Sequence, residues 1–151
     1  MAEIRSFREL NVYKSAREAA LAIFELSKTF PRDERYSLTD QIRRSSRAVN
    51  AMIAEAWAKR RYEAAFVSKV NDALGEATET QAWLDHALDS SYITRVQFQV
   101  LDAKWQQIGA MLNKMTERAH DFCKPKRGDA TPFSILYPRF SYSSRCNDGK
   151  P

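Results

Sequence analysis

Four stretches of this sequence place apolar residues at alternating steps of three and four, a spacing that fits packed helices and excludes strands. The cleanest runs from about Arg95 to Cys123, where Phe98, Leu101, Trp105, Ile108, Leu112, Met115, Ala119 and Phe122 form an unbroken seam. From Tyr62 to Ser90 the seam is Phe66, Val70, Ala73, Ala77, Thr80, Leu84 and Ala87. From Ser37 to Arg61 it is Leu38, Ile42, Ser45, Val49, Met52 and Ala56; from Leu10 to Phe30 it is Tyr13, Ala16, Ala20, Ile23, Ser27 and Phe30. Breakers are scarce where helices are wanted: Pro31 is the only proline before Pro125. Ser37 is the expected N-cap of the second helix, with Asp40 favouring its positive end. The small residues Ser45, Ser46, Ala48 and Ala51 let two neighbours approach that helix. Gly75, inside the third, suggests close packing there. The expected fold is all-α, an up-down-up-down antiparallel four-helix bundle.

At 151 residues the chain is long enough for one domain with its own core. Residues 1–124 are assigned to the bundle, with Phe7 and Leu10 of the lead-in folding back onto it. Residues 125–151 form a basic, Pro-containing tail. Two readings of that tail stand: loosely ordered, or partly docked through Phe133, Ile135, Leu136, Tyr137, Phe140 and Tyr142 on the bundle or another subunit. Two cysteines are too few for a disulfide framework, no apolar run is long enough to span a membrane, and the charged N-terminus is no signal peptide. A cytoplasmic setting is therefore expected.

The net charge of +5 permits anionic partners. Its distribution is uneven. The second helix carries Arg43, Arg44, Arg47, Lys59, Arg60 and Arg61 against Asp40 and Glu55. The third carries Glu63, Asp72, Glu76, Glu79, Asp85 and Asp89 against Lys69. The six cations of the second helix are the candidate nucleic-acid-binding residues. The alternative is that they pair with the acidic third helix, with Glu55, Glu76 and Glu79 as partners.

Residues for bond chemistry are sparse. Glu117 and His120 form one ExxH, whereas a di-iron bundle needs two such motifs and two further glutamates. His120 and Cys123 fall short of the three or four ligands of a zinc site. Cys123 lacks an orienting group for a nucleophile, and there is no phosphate-binding glycine loop or G-x-S-x-G elbow. No catalytic residue, cofactor or metal is expected, and the chain is not expected to be an enzyme. Trp57, Trp83 and Trp105 lie on or beside the seams and are expected to pack.

The blocks FRELNVYKSA, FPRDERYSLTDQIRRSSRAV, IAEAWAKRRY and GEATETQAWLDHAL with SSYI resemble the bacterial four-helix-bundle family named after reading frames in intervening sequences of 23S ribosomal RNA genes. The likeness spans roughly residues 7–123. It implies a four-helix bundle assembled as a ring-like homopentamer, with relatives that include the accessory protein of diversity-generating retroelements, a basic pentamer that binds nucleic acid and a reverse transcriptase. The family has no established catalytic residues to carry over. Where it often shows Ser-Ile-x-x-Asn-Ile-Ala-Glu-Gly, this chain has Ala48, Val49, Met52, Ile53, Ala54, Glu55 and Ala56, which makes the seam more apolar. Two functions follow as expectations. One is a non-enzymatic oligomeric scaffold that binds RNA or DNA; the other is a protein-interaction module whose charges serve self-assembly.

Overall fold

A computed structural model of the chain describes residues 3–123. The readings of the tail, and of Cys146, lie outside the described residues. Four long helices form: α1 (Asn11–Ser27), α2 (Leu38–Ala58), α3 (Glu63–Asp89) and α4 (Arg95–Glu117), followed by a short α5 (Ala119–Cys123). Among the described residues there is no strand. One-turn 3-10 segments at Phe7–Glu9 and Arg32–Glu34 lead into α1 and α2.

The helices contact one another in cyclic order, α1 on α2, α2 on α3, α3 on α4 and α4 on α1. Cross-helix pairs give their directions. Arg44 meets Glu79, Ser45 meets Thr80 and Glu55 meets Lys69, so α2 and α3 are antiparallel. Asn50 Nδ2 donates to the Tyr13 carbonyl and Arg43 Nε to Ser27 Oγ, so α1 opposes α2. Leu74 lies beside Gly109 and Gln81 reaches Asp102 and Gln106, so α3 opposes α4. The molecule is an all-helical bundle with antiparallel neighbours.

All seven seam residues of α3 are buried, and Leu101, Trp105, Ile108, Leu112 and Met115 of α4 join them. In α1 the stripe is turned slightly from the expected one: Val12 and Ala19 are buried while Tyr13 and Ala20 are half-buried. Leu10 is buried, and Phe7 packs edge-on against Tyr13 at 4.9 Å. One polar pair sits in the core, where Ser45 Oγ and Thr80 Oγ1 share a hydrogen bond of 2.8 Å. Both hydroxyls also reach a carbonyl of their own helix, so neither is left unmet.

The helix ends depart from the sequence reading in three places. Ser37 precedes α2 but makes no side-chain cap. Its hydroxyl donates to Glu34, whose carboxylate instead takes the Leu38 N–H. The α2 helix ends at Ala58, because Lys59 leaves the helical region and Tyr62 is extended. Lys59, Arg60 and Arg61 thus belong to the α2–α3 turn. The fourth helix is interrupted at Arg118, whose φ of −105° and ψ of 24° separate α4 from α5. Gly75 also differs: it is exposed, and a Cβ there would meet nothing within 4 Å.

Candidate nucleic-acid interface

The six candidate cations do not form one patch. Successive residues of a helix point about 100° apart, so Arg43 and Arg44 face different neighbours. Arg43 turns toward α1, its guanidinium 4.9 Å from the centre of the Phe24 ring and its Nε donating to Ser27 Oγ at 2.7 Å. Arg47, one turn on, lies over the same ring at 5.3 Å. Arg44 turns toward α3 and binds Glu79 at 2.6 Å and Glu76 at 3.4 Å. The hydrogen bond it donates to Glu79 is the main reason its pKa is raised further from an already high value. The last three lie in the turn beyond the far end of α2, and that end is about 21 Å from Arg44 by helix rise. There Arg60 lies 4.1 Å over the Trp57 ring and donates to the Trp57 carbonyl, Arg61 lies 5.8 Å over Tyr62, and Lys59 is exposed.

Among the described residues, Arg44 is the one member of the six within ion-pairing distance of a carboxylate. Glu55 pairs instead with Lys69 at 3.1 Å. The bond to Glu55, then that to Asp72, raises the Lys69 pKa. Four of the other five cations rest on aromatic rings, a contact that orients the charge without neutralising it.

Part of the basic surface comes from α1, which the sequence reading passed over. Lys14, Arg17, Leu21 and Phe24 line a groove of about 540 Å³ with Glu18, Ala20 and Arg47. Lys28, bound to Glu25, reaches the Phe24 ring at 4.8 Å. Phe24 therefore has Lys28, Arg43 and Arg47 around it. The available signal was the spacing of Lys14, Arg17, Leu21, Phe24 and Lys28, which puts them on one side of a helix.

Elsewhere the chemistry is sparse. Among the described residues no three His, Cys, Asp or Glu gather as a metal group. His120 contacts Asp121 at the exposed end of the bundle. Burial, followed by the nearby Glu63, pushes the Cys123 thiol above its ordinary pKa, the opposite of what an activated nucleophile needs. Trp83 donates its ring N–H to Glu79, and Trp105 is wholly buried. No described helix is long and apolar enough to cross a membrane.

These features define a helical bundle with ring-mounted cations along one seam and at one turn. The chain belongs to the 23S rRNA-intervening sequence protein family, whose profile matches residues 8–114. It is similar to a protein of unknown function from the S23 ribosomal protein family of Bacteroides thetaiotaomicron VPI-5482, solved at 1.70 Å. The two are 31% identical, the match covers 70% of this chain and 95% of that one, and the TM-score is 0.64. No curated protein matches the chain.

Proposed function

We propose that the protein is a non-enzymatic, cytoplasmic, oligomeric scaffold that binds nucleic-acid phosphates through its basic surfaces. The observation that carries this reading is the state of the candidate cations. Arg43, Arg47, Arg60 and Arg61 rest on aromatic rings without a carboxylate partner among the described residues. Ring-mounted guanidinium groups keep their charge and lose little freedom on meeting a phosphate. The homopentameric ring is proposed from the family resemblance; repetition around an axis would let weak sites add. Filter binding across a salt series tests the reading. Each phosphate contact contributes about 0.7 to 0.9 to the slope of log K against log salt, so Arg47→Ala and Arg61→Ala should each lower that slope by roughly one. Absence of binding at low salt would overturn the proposal.

A second reading is a protein-interaction module whose charges serve assembly and have no nucleic-acid role; Arg44, paired within the chain to Glu76 and Glu79, is the candidate cation least available to a phosphate. The double variant Arg43→Glu with Arg44→Glu separates the two. An intact oligomer that no longer binds nucleic acid supports the first reading, and a dissociated one the second.

A further inference from the structure

The groove between α1 and α2 combines charge with apolar surface in a way that phosphate binding alone does not need. Along α1, Lys14, Arg17, Leu21, Phe24 and Lys28 follow one side of the helix, with Arg43 and Arg47 of α2 across from Phe24. The run from Lys14 to Lys28 covers about 21 Å. Lys14, Arg17 and Arg47 line the groove with Glu18, while Arg43 and Lys28, the latter bound to Glu25, lie against the Phe24 ring. Within the row of cations, Leu21 is 60% exposed and Phe24 half-buried.

A duplex offers such a surface only its phosphate rim, and an exposed leucine and phenylalanine gain nothing from that. A single strand offers phosphates and unstacked bases together. Bases stack on aromatic rings and on guanidinium planes, while the backbone follows the cations. We propose that the α1–α2 groove is a track for single-stranded nucleic acid, with Phe24 and its flanking arginines as the stacking platform and Lys14, Arg17 and Lys28 on the backbone. The track is long enough for a few nucleotides of an unstacked strand, fewer than the six that a duplex strand would place along it at roughly 3.4 Å each. It deepens the nucleic-acid reading above and rests on it.

The test uses the full chain and fluorescence anisotropy with labelled 12-nucleotide oligouridylate, oligodeoxythymidylate and a 12-base-pair duplex. The single strands should bind more tightly than the duplex at equal salt. Phe24→Leu, which keeps an apolar side chain at the helix contact, should weaken single-strand binding roughly five- to a hundredfold and duplex binding, which loses only the ring support of Arg43 and Arg47, several times less. Leu21→Ser, at an exposed position clear of the core, reads the same groove should Phe24→Leu lower the melting temperature. Equal affinity for strand and duplex, insensitive to both substitutions, overturns the track and leaves phosphate binding standing. Failure of every oligonucleotide to bind overturns both. A polyglutamate peptide that binds as tightly as the oligonucleotides overturns the track in favour of an acidic protein partner.

Discussion

Arg43 and Arg44 are adjacent in sequence, yet one lies over Phe24 and the other between two glutamates. The sequence showed that α2 is basic and α3 acidic, but not which cation pairs. That depends on where each residue falls around the helix, and a 100° step separates neighbours. The Arg44 pair is partly exposed, with 47% and 34% of the two side chains open to solvent. A double-mutant cycle on Arg44→Ala and Glu79→Ala, read by urea denaturation, should therefore give a coupling of no more than about 1 kcal/mol. Glu34 holds a different kind of contact. Its carboxylate accepts from the Ser37 hydroxyl, the Leu38 N–H and the Tyr92 hydroxyl, and these bonds, led by Ser37, hold its pKa below the ordinary 4.5. A lowered folded pKa stabilises above the unfolded value and loses that contribution as pH falls through the folded one. Glu34→Gln should thus lower the melting temperature at neutral pH and flatten its decline below about pH 4.5, as checked by thermal melts across that range.

At the level of elements, periodicity was informative and ends were not. The seams placed α3 to within a residue at each end, because its stripe is unbroken and fully buried. The end of α2 was read three residues late, since Lys59, Arg60 and Arg61 are good helix formers and only backbone angles mark the stop. The α3–α4 turn hides its geometry in the same way. Ser91 N–H reaches the Leu88 carbonyl and Tyr92 N–H the Ala87 carbonyl, the two bonds of a Schellman motif. The residue at its left-handed position is Ser91, with φ of 60°, where glycine is usual. Ser91→Gly should raise unfolding stability by up to about 1 kcal/mol in urea titrations, as relief of the left-handed strain exceeds the added backbone entropy. Three residues on, Thr94 and Gln97 close a reciprocal capping box at the start of α4. Thr94→Ala should cost about 1 kcal/mol in the same measurement.

For the whole molecule, the seams made the bundle legible, while the surfaces left open were not. The outward side of α4 carries Val96 and Val100, 68% and 54% exposed, in line with exposed Ala103, Gln107 and Ala110. An uncharged row on the solvent side suits a helix meeting another subunit, in keeping with the oligomer proposed above. Val96→Glu together with Val100→Glu should shift the solution mass, measured by light scattering, toward the 17.4 kDa of one chain, with helical content unchanged. Gly75 adds a further consequence. It stands on the open side of a 27-residue rod, and among the described residues nothing beyond its own stretch of helix comes within 4 Å of a Cβ placed there. Alanine there should stiffen the rod by about 1 kcal/mol. If a sister molecule nestles against that bare stretch of backbone, the added methyl would hold it off, so the variant would melt hotter when dilute and associate less tightly when concentrated.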